Sequence, residues 1–206
     1  MSNFLSCLSQ LKMKTNEVYQ LLYQGKLTLA FDTNTVFSHQ RFWKICNKIN
    51  QLNDKYHYKF SLIVSALVHT EKLFDLKQEL KETYKLEIVT QSLNSKHISV
   101  KSFEMHHAEA TASIIGEQFP TPDEWHQFKR QKCIDCLGVQ KTENIHGTGK
   151  KCGATVDWFI AGHASSENYL LITQDSGEEF KGIKNKTDLK SLEIAIDQLT
   201  EQLNNE

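Results

Sequence analysis

Four acidic residues stand where their side chains can converge. Asp32 ends the apolar run Leu29-Ala30-Phe31, and Asp175 ends the apolar run over residues 169–173. Glu71 falls about two turns into a helical stretch that follows Ser65, and Asp157 falls in the first turn of another. Ligands of parallel sheets bind beyond the carboxyl ends of the strands. That rule puts Asp32, Asp157 and Asp175 on one rim, with Glu71 leaning over it. Carboxylates gathered there repel; two charges about 4 Å apart cost about 4 kcal/mol at an effective dielectric of about 20. A hard divalent cation relieves that cost, and carboxylates with water suit Mg²⁺ or Mn²⁺. Such an ion lowers the pKa of a bound water and neutralises charge on a phosphodiester under attack. Asn34 and Thr173, beside the first and last acids, are expected to bond water around the ion or a substrate phosphate, with Ser176 a further candidate. Taken singly, each acid also reads as a helix cap or a turn residue.

A second group of chemical side chains lies between Trp125 and Cys152. Cys133-x-x-Cys136 can aim two thiolates at one metal from a tight turn, and a tetrahedral Zn²⁺ then needs two more ligands. Cys152 is the expected third and His146 the fourth, with His126 competing for that place. A site closed by four protein ligands is structural and would order a segment poor in apolar residues. The same segment carries Lys129, Arg130, Lys132, Lys141, Lys150 and Lys151 against only Asp135 and Glu143. With Trp125, His126 and Phe128 near them, these charges suit a nucleic-acid backbone with unpaired bases stacked beside it. They also suit a solvated loop.

The elements that must position these groups follow from periodicity. Residues 3–24 carry apolar side chains at helical spacing and should stop near Gly25. Residues 27–31 read as a buried strand, after which Thr33-Asn34-Thr35 can cap a helix running through Phe42, Trp43 and Ile45. A second strand is predicted at 58–64, then a helix capped by Ser65, then a charged helix at 76–84. Residues 86–89 and 98–103 are strand candidates, the first of which also fits a helix end. Residues 105–119 read as a helix with Ala108, Ala110, Ala112 and Ile115 facing inward. Pro120, Pro122, Gly138, Gly147 and Gly149 mark irregular structure up to Gly153. A helix at 154–164, the clearest buried strand at 169–173 and a final helix at 188–203 complete the chain. Alternating strands and helices predict an α/β fold with a mostly parallel central sheet flanked by helices.

Leu29-Ala30-Phe31-Asp32-Thr33-Asn34 resembles the opening motif of PIN domains. The run from Val64 to Glu71 resembles their second motif, and the run from Asp157 to Ala164 their third. Leu170-Leu171-Ile172-Thr173-Gln174-Asp175 with Phe180 is similar to the fourth. The four come in the family's order over about residues 27–183, and the nearest shape is the VapC-type toxin ribonuclease. The resemblance implies a PIN-like, Rossmann-like sheet and RNA cleavage dependent on Mg²⁺ or Mn²⁺ held by Asp32, Glu71, Asp157 and Asp175. It also implies a homodimer and an antitoxin partner. On this reading residues 1–206 form one PIN-like domain, with a helical extension at 1–25, a zinc-stapled Cys-rich insertion at 120–153 and a C-terminal helix at 187–206. The insertion departs from the small toxins.

Composition limits the alternatives. The chain has 206 residues, 39% of them hydrophobic, which suffices for a core; 24 basic against 25 acidic residues make any basic surface local. No apolar stretch approaches the roughly 20 residues of a membrane span, and the first residues lack signal-peptide character, so a cytoplasmic protein is expected. A haloacid-dehalogenase-like phosphatase would need an acid where Asn34 stands. A non-catalytic, zinc-stapled RNA-binding or protein-interaction module on a PIN scaffold would not need all four acids.

Overall fold

Runs of consecutive buried residues fix the centre of the molecule. In the computed structural model, which describes residues 12–36, 40–137 and 155–206 (134–137 by backbone alone), Leu29-Ala30-Phe31, Leu62-Ile63-Val64 and Leu170-Leu171-Ile172 are buried without a break. A strand buried at successive positions must be covered on both faces. These runs lie in β1 (Lys26–Phe31), β2 (Lys59–Ser65) and β4 (Leu170–Ile172), joined by β3 (Ile98–Lys101) and β5 (Lys186–Thr187). All pairings are parallel, in the order β3-β2-β1-β4-β5. The expected α/β architecture with a parallel sheet is therefore observed. Its order reverses between β1 and β4, the switch point where doubly wound sheets open a crevice.

Two helical layers cover the sheet. In one, α1 (Thr15–Tyr23) and α2 (Gln40–Tyr56) pack on α8 (Leu189–Asn205), and Phe42 of α2 meets Phe31 of β1 edge-on. In the other, α3 (Ala66–Leu80) and α5 (Met105–Gln118) pack on α7 (Val156–Ser166). α5 and α7 approach tightly at Gly162, where a Cβ would lie 2.9 Å from Thr111 Cα and collide with the Thr111 hydroxyl. Glycine is required there by lack of space. Gly25, at φ +79°, ends the first helix as expected.

Several local expectations are corrected. Thr33-Asn34-Thr35 do not cap a helix; they form a turn in which the Thr35 hydroxyl donates to Asp32 O at 2.7 Å, and α2 starts at Gln40. Residues 76–80 continue α3, whose N-cap is Ser65 as predicted, and a 3₁₀ turn follows at Lys81–Thr83. The strand candidate at 86–89 is the start of α4 (Leu86–Asn94), which buries Val89 and Leu93 in helical register. On α5 the inward residues are His107 and Thr111, while Ala108 and Ala112 face solvent. The expected irregular segment begins instead with a helix, α6 (Pro122–Leu137). Proline at its first position loses no hydrogen bond, so Pro122 starts the helix where it was read as a breaker. Strand β5 was not foreseen, because two residues carry no periodicity. Among the described residues, no helix is long and apolar enough to cross a membrane.

Candidate functional site

Asp32 stands one residue past β1, at the switch point, and is 1% exposed. Its backbone N–H still donates to Ile172 O of β4 at 3.0 Å, so the sheet itself fixes its place. Both carboxylate oxygens are engaged: Oδ1 accepts the Thr33 backbone N–H at 2.7 Å, and Oδ2 accepts the Thr173 hydroxyl at 2.6 Å. Burial nevertheless pushes its pKa up to about 6, with Asp175 and Glu71 adding to the rise and the two hydrogen bonds opposing it. Asp157, half-buried in the first turn of α7, is pushed further, to about 8. Burial comes first, followed by the charges of Asp32, Glu179, Asp175 and Glu71. Asp175 and Glu71 thus act on both Asp32 and Asp157, and Asp32 acts on Asp157.

Small polar side chains orient them. Asn34 Nδ2 donates to Asp175 Oδ2 at 2.7 Å, and Asn34 Oδ1 accepts the Gln174 backbone N–H at 3.1 Å. The Asp175 backbone N–H donates to Thr173 Oγ1 at 3.0 Å, and the Thr33 hydroxyl donates to Glu71. Asn34 and Thr173, expected to face water or phosphate, are therefore spent largely on the acids themselves. Thr33 joins them without having been singled out.

The four acids do not close into one tight ligand set. The described His, Cys, Asp and Glu groups with three ligand atoms within 4.8 Å of one another are His106, His107 and Glu167, not the four acids. Mg²⁺ usually keeps several waters and takes one or two carboxylates directly, so an open, all-oxygen set fits it or Mn²⁺ better than it fits a dry cage. The His106-His107-Glu167 trio is a poorer metal donor. His107 Nδ1 accepts the Glu104 backbone N–H at 2.8 Å, which leaves the ring proton on Nε2, facing Glu167 Oε1 at 3.2 Å. A metal would need the opposite tautomer.

Sequence reasoning missed Glu179. It is buried in the 3₁₀ turn Glu178–Phe180 after Asp175, with Lys132 Nζ of α6 at 3.2 and 3.3 Å from its two oxygens. A Cβ on Gly177 would collide with that carboxylate, so glycine makes its room. No local signal marks it, because the cation that holds it lies 47 residues away.

The remaining expectations fall on α6 and beyond. Lys129 Nζ lies 5.1 Å from the centre of the Trp125 ring, and Arg130 and His126 are exposed. Cys133 is exposed on α6, and the backbone is helical through Cys136, so the CxxC pair sits on a helix and not on the expected tight turn. Positions three apart on a helix share a face. The Cys136 side chain, His146, Lys150, Lys151 and Cys152 lie outside the described residues.

No protein-family model and no curated protein matches the chain. Among solved structures, a chain of the DNA-bound VapBC crystal structure from Salmonella typhimurium is similar, with a TM-score of 0.46 and 18% sequence identity over 79% of this chain and 98% of that chain.

Proposed function

We propose that this chain is a PIN-type, metal-dependent endoribonuclease that hydrolyses RNA phosphodiester bonds, in the manner of the toxin of a toxin–antitoxin pair. The observation that supports the reading is the hydrogen-bond web beyond β1 and β4, in which Thr173 and the Thr33 N–H hold Asp32, Asn34 holds Asp175 and the Thr33 hydroxyl holds Glu71, with Asp157 in the first turn of α7 raised by burial and then by the charge of Asp32. Raised carboxylates that repel one another favour a divalent cation.

Mg²⁺ or Mn²⁺ would be held by these four acids with water between them, and when bound it supplies a water of lowered pKa and charge neutralisation. Thr173 and the Thr33 N–H keep the Asp32 oxygens aimed, Asn34 holds Asp175, and Thr33 holds Glu71. Lys129, Arg130 and Lys132 on α6 and Lys150 and Lys151 beyond it draw the RNA backbone toward the acids. A structural zinc on Cys133, Cys136, Cys152 and His146 braces that segment. A second copy of the chain and an antitoxin protein are the partners the motif resemblance implies.

The test is cleavage of a labelled RNA by purified protein with and without chelator, beside an Asp32→Asn, Asp175→Asn double variant. The expected result is chelator-sensitive cleavage by the wild type and RNA binding without cleavage by the variant. Cleavage that persists in the variant overturns the assignment.

A further inference from the structure

The residue ahead of Asp175 is gripped at both ends of its backbone. The Gln174 N–H donates to Asn34 Oδ1 at 3.1 Å, and Gln174 O accepts a hydrogen bond from the Lys12 ammonium at 2.8 Å. That carbonyl shares one planar peptide unit with the Asp175 nitrogen, whose N–H donates to Thr173 Oγ1 at 3.0 Å. Lys12 therefore holds the peptide plane from which Asp175 springs. We infer that Lys12 is a positioning residue that fixes Asp175 for the bound cation, an inference that rests on the function proposed above.

Lys12 is itself held in place. The Met13 N–H donates to Lys186 O at 2.8 Å, and the Thr187 hydroxyl donates to Met13 O at 3.4 Å, so the chain lies against β5, the edge strand beside β4. Two residues on, α1 begins; its Glu17 accepts the Lys14 N–H at 2.6 Å, and its Val18 and Leu22 are fully buried. The side chain that reaches Gln174 thus leaves a fixed backbone. The far end of the same loop is gripped from the same edge, where Lys186, 2% exposed, donates from Nζ to Phe180 O. The helical extension ahead of Gly25 is then part of the frame of the site.

An ammonium beside a cation site acts in two opposite ways. Among the described residues no carboxylate pairs with Lys12, whose partner is a carbonyl. Its charge repels a metal ion through space, whereas its hydrogen bond favours the ion by keeping a ligand aimed. Removing the ammonium therefore tightens metal binding if charge is its only effect, and weakens it if positioning dominates.

The test uses Mn²⁺ alone as probe. Free Mn²⁺ is measured by its electron paramagnetic resonance as the ion is titrated into chelator-stripped wild type, Lys12→Met and Lys12→Arg proteins. Lys12→Met should weaken binding roughly three- to tenfold, less than the loss usual for a group bonded to the ligand side chain itself, and Lys12→Arg, which keeps a donor, should bind as the wild type does. In an Asp175→Asn background, Lys12→Met should change nothing further. Unchanged or tighter binding by Lys12→Met overturns the inference, as does an equal loss in the Asp175→Asn background. A wild type that takes up no Mn²⁺ overturns both this inference and the proposed nuclease. Chelator-sensitive cleavage with an affinity unmoved by Lys12→Met removes only the positioning role. Mn²⁺ uptake that depends on Lys12, without cleavage of RNA under any metal, removes only the nuclease.

Discussion

The Thr173 hydroxyl donates to Asp32 Oδ2 across 2.6 Å, and so ties the residue after β4 to the residue after β1 at the point where the sheet order reverses. That bond lowers the proton affinity of Asp32 against the larger effect of burial. Thr173→Val keeps the shape and removes the donor. Its expected result is an Asp32 pKa above the present value of about 6, an alkaline displacement of the pH–cleavage profile, and a cleavage rate reduced about tenfold near neutrality. Thr173→Ser should restore the profile. An unshifted profile in the Val variant refutes the role.

Asp157 makes stability depend on pH in an unusual direction. Its folded pKa of about 8 lies above the ordinary carboxylate value, so between those values the folded state holds a proton that the unfolded chain has lost. Stability is then fullest at low pH and declines as pH rises through about 8. Asp32 acts in the same sense but is finished by about pH 6, and His163, held down to about 4, is neutral folded or unfolded above its ordinary range. Melting of the chelated protein at about pH 6.5 and about pH 8.5 isolates Asp157. The midpoint should fall by several degrees, Mg²⁺ or Mn²⁺ should restore more at the higher pH, and Asp157→Asn should flatten the slope. A midpoint that rises with pH in the chelated protein contradicts the assignment.

Lys132 and Glu179 form the ion pair between α6 and the acidic end of the sheet. Lys132→Met leaves a buried carboxylate without its cation and should cost roughly 1–3 kcal/mol, the lower figures reflecting the partly exposed ammonium. Glu179→Gln should recover most of that loss in the double variant. Denaturant unfolding of the four proteins measures the coupling, and additive losses would show that the pair does not interact.

Gly162→Ala places a methyl on the Thr111 hydroxyl and within 2.9 Å of Thr111 Cα. Overpacking at a helix crossing should destabilise by roughly 2–4 kcal/mol. Because backbone as well as side chain is struck, Thr111→Ala should rescue only part, as read from urea midpoints.

Cobalt substitution reports on the cysteines. Protein loaded with Co²⁺ in place of zinc should show thiolate charge-transfer absorption that Cys133→Ser and Cys136→Ser each weaken. An absence of such bands in the wild type argues for a segment without metal.

What the sequence made legible has a physical pattern. Strands buried on both faces write themselves as unbroken apolar runs, so β1, β2 and β4 could be read directly, as could Asp32 after β1 and Asp175 after β4. Ser65 was legible because its hydroxyl caps α3, accepting the Leu67 N–H at 3.3 Å. Residues 86–89 were ambiguous because Leu86, Ile88 and Val89 fit either period until α4 closes behind them. Helix α6 was hidden by its composition: Pro122 at the first position resembles a breaker, and its aromatic residues pack on Trp158 and Phe119, which only folding brings near. Glu179 was invisible for a similar reason, since its partner Lys132 lies 47 residues away.

Asp32 grows from the central strand, and its position is inseparable from the folding of the core around it. Helix α6 is attached differently, by ring contacts and the pairing of Lys132 with Glu179, outside the sheet ladder. Substitutions at exposed positions of α6 such as Arg130 therefore leave the sheet ladder untouched, whereas substitutions of the residues packed around Asp32, such as Phe31 and Ile172, disturb the core itself. Selection acting on this chain meets a rigid centre and a flank held by a handful of side-chain contacts.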